Sequence, residues 1–338
     1  MDAPTDGPRT GGDPALAAEA SRLLGRHHPR FVVALAHPYH GARTASVGLP
    51  VDADVEIGSV SKGLTGLLFA DARDRGEVAD DTPLGDLLPL GDGPTASVTL
   101  GALAVHRSGL PRLAAGSAGV RRTWDLVRRG ANPYGQTLDE LVDAARVTPV
   151  GRPRPRYSNL GFMLLGHAVA AAAGRSYADL LRERLTGPLA MSSTTVPASP
   201  ELLGPSAVLG RTRRGREREA WTGEAVGPAG GVRSTAGDLG RLLGALLDGT
   251  APGVTALDPV TDLRGSRLRI GAGWMTMTRR DVDLTWHNGG TGGFSSVVVL
   301  DRAAGAGVAL VTATPRSVDG VGMQLLQRMV DGTSRVGA

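Results

Sequence analysis

Four apolar runs in the last quarter of this chain are separated by connections too short to hold a crossover. Arg267–Met277, Val282–His287, Phe294–Leu300 and Gly307–Ala313 read as strands, joined by turns such as Arg279-Arg280-Asp281 and Arg302–Ala306. Parallel neighbours need a connection of about a dozen residues or more, usually a helix, so these strands run antiparallel. Arg30–Ala36 and Arg43–Gly48 form a second strand group near the other end, with a turn around His37–Gly41 between them. The stretch between the two groups reads as helical. Ser59 to Arg75 places Leu64, Leu67, Leu68 and Ala72 at three- and four-residue spacing. Thr99–His106, Thr137–Ala145, Ser158–Ala173, Tyr177–Leu185 and Thr235–Leu247 also suit helices, with Gly or Pro between them, and Ser317–Val330 is a closing helix. This order favours an α/β (α+β) fold over a doubly wound one. Two strand groups distant in sequence complete one antiparallel sheet, and the helical block forms a second lobe. The expected division is a flexible N-terminal segment and short helix (1–25), an α/β lobe (26–75 and 232–335) and a mainly helical lobe (76–231).

Composition removes several classes of function. The 338 residues are 41% hydrophobic and 21% charged, as in a globular protein able to bury a sizeable core. Cysteine is absent, which excludes disulfides, thiolate zinc sites, iron–sulfur clusters and a cysteine nucleophile. The net charge is only +4, the basic residues are spread along the chain and aromatic residues make up 4%. A nucleic-acid surface needs a basic patch, usually with stacking aromatics, so no nucleic-acid partner is expected. The one dense charge run, Arg211–Arg218, reads as a solvated loop. Apolar runs such as Ala168–Ala173 fall far short of the roughly 20 residues of a spanning helix, and no membrane partner is expected. Without a signal-peptide pattern the expected location is cytoplasmic, a trimmed exported protein being the alternative.

Of the 37 Lys and Arg residues only Lys62 is a lysine. It stands in Ser59-Val60-Ser61-Lys62, at the start of a helix. Positions i and i+3 share a helix face, so the Ser59 hydroxyl and the Lys62 amine can meet. The helix N-terminus favours negative charge developing on the Ser59 oxygen. A lysine acts as a base only when burial or nearby cations bring its pKa down from about 10.4 to about 7–8. Arginine cannot lose its proton in a protein, which gives this one position a chemical reason to differ. Ser61 points away from Lys62 and is expected to pack or cap.

Two further constellations stand out. Tyr157-Ser158-Asn159 opens the helix from Ser158. Tyr157 can relay a proton to a leaving group, and Asn159 can donate to a substrate carbonyl and accept from a lysine; helix capping is the alternative reading. His287-Asn288-Gly289-Gly290-Thr291-Gly292-Gly293 follows a strand. Its glycines let a substrate backbone come close, and a strand-edge amide there can pair with the Ser59 amide as an oxyanion hole. A glycine-rich hairpin loop is the alternative.

In this order and spacing the blocks EIGSVSKGLTGLLFADARDRGEV, LAVHRSGLP, RYSNLGFMLLGHAVAAAAG, GPAGGVRSTAGDLGRLLGALL and WHNGGTGGFSSVVVLD resemble the serine β-lactamase and penicillin-binding-protein superfamily, in its class C and DD-peptidase-like branch (peptidase family S12). The resemblance runs from about residue 30 to about residue 330. It implies a five-stranded-type antiparallel sheet flanked by helices, a helical lobe and an active site in the cleft between the lobes. It makes Ser59 the nucleophile, Lys62 its base and Tyr157 the proton relay. Asn159, His287, Asn288 and Gly289 become substrate-binding residues, and the amides of Ser59 and Gly290 the oxyanion hole. His106 falls in a stretch like the family's L-x-x-H-T-S-G-L and is expected to be structural, with Arg107 in place of the usual Thr. The third motif, usually K-T-G, here begins with His287 and has Asn288 for its Thr, which weakens the case for a substrate carboxylate and is similar to esterase, aminopeptidase and transacylase relatives. The expected activity is a serine hydrolase or acyltransferase acting on a small ester, amide or lactam, with no metal and no cofactor. A β-lactamase or D-alanyl-D-alanine carboxypeptidase is the alternative, and a non-catalytic β-lactam-binding protein the second. Leu113–Tyr134 and Arg211–Thr222 are expected to form variable cleft walls.

Overall fold

The computed structural model describes residues 10–39, 41–114, 132–263 and 265–334. Nine of its strands form one antiparallel sheet: β1 (Thr10–Gly12), β2 (Phe31–His37), β3 (Gly41–Val47), β6 (Thr261–Asp262), β7 (Leu268–Ile270), β8 (Met275–Arg279), β9 (Val282–Gly290), β10 (Ser295–Asp301) and β11 (Ala306–Thr312). Their order is β1-β3-β2-β11-β10-β9-β8-β7-β6. The two sequence-distant groups join where β2 pairs with β11, Ala34 opposite Ala309. A separate short pair, β4 (Val55–Glu56) and β5 (Arg233–Ser234), lies beside this sheet.

Strands β2, β10 and β11 are buried along their whole length. Helices cover both faces, which is why these strands read as unbroken apolar runs without polar alternation. Successive β2 residues serve two cores. Val32, Ala34 and Ala36 join the large core under α2 (Ser61–Asp74) and α7 (Ala236–Leu247). Phe31, Val33 and Leu35 join a smaller one closed by α1 (Pro14–Leu24) and α8 (Asp319–Ser334). The helical part contains α3 (Leu100–Ala104), α4 (Leu138–Arg146), α5 (Asn159–Ala172) and α6 (Tyr177–Leu181). Every residue of α2 from Ser61 to Ala72 is buried, since it packs against α5 as well as the 227–231 turn. Capping marks the starts of several helices: Thr137 and Glu140 form a reciprocal capping box on α4, and Ser158 and Thr235 cap α5 and α7.

Four expectations need correction. The sheet has nine strands, because short edge strands extend it on both sides. The N-terminal segment carries an edge strand besides its short helix: β1 pairs with β3, and Asp13 caps α1 while accepting from Arg43. Residues 1–9 lie outside the described residues. The run Arg267–Met277 is two strands, bent at Gly271–Trp274 so that Trp274 is fully buried and donates from Nε1 to the Gly63 carbonyl, 3.0 Å away. The helix from Tyr177 keeps α geometry only to Leu181 and widens to a π turn over Arg182–Thr186. Of the cleft wall expected at Leu113–Tyr134, residues 115–131 lie outside the described residues. The Arg211–Arg218 run forms a loop, mostly exposed, in which Arg211 pairs with Glu217 at 3.0 Å.

Candidate active site

Ser59 lies in a 3-10 turn, Gly58–Val60, that runs straight into α2. Three residues per turn bring positions i and i+3 side by side. The Lys62 Nζ sits 3.1 Å from Ser59 Oγ and 2.5 Å from the carbonyl oxygen of Ala229. Lys62 has no solvent exposure. Burial, and after it the charge of Arg112, holds its pKa well below the ordinary lysine range. Ser61, the other hydroxyl of the motif, donates to the Gly58 carbonyl at 2.6 Å and accepts from the Val232 amide at 3.2 Å.

The end of β9 presses against this turn. Gly58 has φ +52°, and a Cβ there would stand 2.7 Å from the Gly290 nitrogen. A Cβ on Gly289 would stand 2.2 Å from the Ile57 oxygen and 2.9 Å from the Ser59 nitrogen. Only glycine fits at either position, and this closeness brings the Ser59 and Gly290 backbones together. Ser296, on the neighbouring strand, donates to the Ile57 carbonyl at 2.7 Å and braces the contact.

Tyr157 comes just before α5, so the Ser158 cap sets its position. Its ring centroid is 4.9 Å from Lys62 Nζ and 4.5 Å from the His106 ring. Burial pushes the Tyr157 phenol up to about 12, against the opposing pull of Ser59 and Arg112. At neutral pH it keeps its proton. His106 holds this loop. At φ +56° it ends the α3 segment, its Nδ1 accepts from the Ser158 amide at 3.3 Å, and its carbonyl accepts from the Arg156 amide at 2.9 Å. Burial holds the pKa of the His106 imidazole well below its ordinary value and keeps it neutral.

Ser59, Tyr157, Asn288, Gly289 and Gly290 line one cavity of about 420 Å³. Two expected substrate-binding residues do not. Asn159 is buried and donates from Nδ2 to the Tyr134 hydroxyl at 3.0 Å. Its Oδ1 has no partner among the described residues. The bond from Lys62 to Asn159 suggested by the motif is not made; Ala229 takes that place. His287 is 1% exposed, and its Nδ1–H donates to the Asn288 carbonyl at 2.7 Å. Burial, with Lys62 second, pushes its pKa down to about 3, so it is a neutral imidazole behind the cavity wall.

Sequence reasoning missed three features. Arg112 lines the cavity, with its guanidinium 5.9 Å from the Tyr157 ring centroid; only its place just after Ser108-Gly109-Leu110-Pro111 hinted at it. The Ala229 carbonyl is a backbone atom with no side-chain signature. Arg233 is fully buried: Nε lies 3.0 Å from both Asp54 oxygens, Nη1 3.3 Å from Glu56, and Nη2 donates to the carbonyls of Asp54 and Val208. Burial raises the pKa of both carboxylic acids, and Arg233 opposes it. The network locks β4 to β5 next to Ile57, whose amide donates to the Val232 carbonyl at 3.2 Å.

Comparison with known proteins agrees with this architecture. The D-alanyl-D-alanine-carboxypeptidase/endopeptidase AmpH of Escherichia coli (strain K12) is 33% identical over 195 residues, 56% of this chain and 48% of that protein. The chain thus spans about half the length of that relative. Penicillin-binding protein 4 of Amycolatopsis lactamdurans is 28% identical over 294 residues, 80% of this chain and 74% of that protein. The crystal structure of D-alanine carboxypeptidase AmpC from Burkholderia cenocepacia superposes with a TM-score of 0.74 at 23% identity, covering 94% of this chain and 99% of that one, a likeness of fold. The Beta-lactamase family profile matches residues 21–328, and the chain belongs to that family of serine hydrolases.

Proposed function

We propose that this protein is a serine acyl-enzyme hydrolase or acyl transferase acting on a small ester or amide, with Ser59 as nucleophile and Lys62 as base. One observation carries the reading: an amine with no exposure, its pKa held down by burial, lies 3.1 Å from Ser59 Oγ. In its reacting, neutral form Lys62 keeps its donation to the Ala229 carbonyl and offers its lone pair to Ser59, whose O–H then donates to it. Ser59 attacks the substrate carbonyl and its proton passes to Lys62 Nζ. The oxyanion rests on the amides of Ser59 and Gly290. Tyr157, protonated at neutral pH, gives its proton to the leaving group and regains one from Lys62. Water releases the acid, or an amine or alcohol takes the acyl group. Esterase, amidase and biosynthetic transacylase activities all use these steps.

A second reading is a D-alanyl-D-alanine carboxypeptidase or β-lactamase, favoured by the likeness to AmpH. Against it stand the buried neutral His287 and Asn288 in the third motif. Intact-mass spectrometry after exposure to a fluorophosphonate, and p-nitrophenyl acetate turnover, test the first reading. We expect one adduct on Ser59, and loss of both adduct and turnover in Ser59→Ala. A labelled or active Ser59→Ala protein overturns it. Rapid nitrocefin hydrolysis favours the second reading.

A further inference from the structure

The cavity that holds Ser59 also contains a carboxylate. Asp319, the first residue of α8, lines it together with Asn288 and Tyr157. The Asn288 amide donates from Nδ2 to Asp319 Oδ2 at 2.9 Å. Among the described residues no other side chain bonds this carboxylate and no cation pairs with it. A helix-capping role does not account for its orientation. Asp319 lies within the helix, and its oxygen accepts from a strand residue instead of from the first amides of α8. The cation in the cavity, Arg112, is at the Tyr157 ring, and its charge acts on Lys62.

An unpaired carboxylate, aimed by a neighbouring amide into a cavity that contains a nucleophile, repels a substrate carboxylate and attracts a cation with N–H donors. We propose that Asp319, held in place by Asn288, recognises a primary ammonium group on the substrate. The substrate class is then an ester or amide bearing a free amine. Asn288 is the positioning residue, which gives a purpose to an asparagine in the third motif. The proposal rests on the reading of Ser59 as the acylating nucleophile.

Two matched substrate pairs test it. Alanine p-nitroanilide, in both enantiomers, against its N-acetyl counterpart places the cation on the acyl side. Para-aminomethylphenyl acetate against para-methylphenyl acetate places it on the leaving group. At about pH 6.5 these amines are mostly protonated. In at least one pair kcat/KM for the cationic member should exceed that for the neutral member by about tenfold or more. Asp319→Asn should remove that ratio, and Asp319→Lys should turn it in favour of the neutral member. Fluorophosphonate labelling of Ser59 in each variant shows that the fold and nucleophile are intact. A protein whose Ser59 is labelled but which shows no cation preference, or whose preference survives in Asp319→Asn, overturns the ammonium assignment alone. An unlabelled Ser59 in the wild type overturns the acyl-enzyme reading and this assignment with it.

Discussion

Replacing Lys62 with Arg keeps a long basic side chain and removes the capacity to lose a proton. The site gives the larger group no relief. Nζ has two acceptors within reach, Ser59 Oγ at 3.1 Å and the Ala229 carbonyl at 2.5 Å, and no water-exposed surface. A guanidinium brings five donors and stays charged at every working pH. A positioned general base is worth about 10²–10⁴ in rate, or about 3–5 kcal/mol of barrier. Lys62→Arg should therefore lose at least about 10²-fold in kcat/KM for p-nitrophenyl acetate, with no recovery at high pH. The wild-type profile carries a second test. Lys62 acts only without its proton, so turnover rises as pH passes upward through its pKa. Burial and Arg112 lower that pKa, so the rise must fall below the roughly 10.4 of a free lysine. Rates would be followed from pH 5 to pH 10, with folding checked by circular dichroism. A folded Lys62→Arg enzyme within about threefold of wild type, or a wild-type rise at about 10.4, would refute the reasoning.

Two predictions concern stability. Arg233→Met removes the cation paired with Asp54 and Glu56, both buried, and breaking a buried pair from one side costs about 3–5 kcal/mol, read as a lower urea midpoint; an unchanged midpoint contradicts it. His287 is protonated below about 6.5 when unfolded but only below about 3 when folded, so the unfolded chain binds the extra proton between those values and stability falls as pH drops through that window. Its share of the slope approaches about 1.4 kcal/mol per pH unit, and urea unfolding at several pH values should show a shallower slope for His287→Asn than for wild type. Equal slopes would show that the proton is taken up elsewhere.

The Ser59–Lys62 pairing was legible because it is local: three residues of spacing bring the two side chains together in a 3-10 turn as in an α-helix. The antiparallel sheet was legible for a similar reason, since connections of a few residues leave a strand no other partner. The edge strand β1 was not, because three residues, two of them glycine, have no apolar alternation to read. The roles of Asn159 and His287 were also hidden. Their residue types suit substrate contact, yet packing turns one toward Tyr134 and buries the other within β9. What makes Lys62 a base is burial by segments distant in sequence, with the charge of Arg112 after it; its Nζ meets the Ala229 carbonyl 167 residues away, just as Asn288 meets Asp319 across 31. Spacing along one helix decides which groups meet. Desolvation decides which protonation state they hold, and it depends on everything packed around them, so only the tertiary structure set the chemistry of the site.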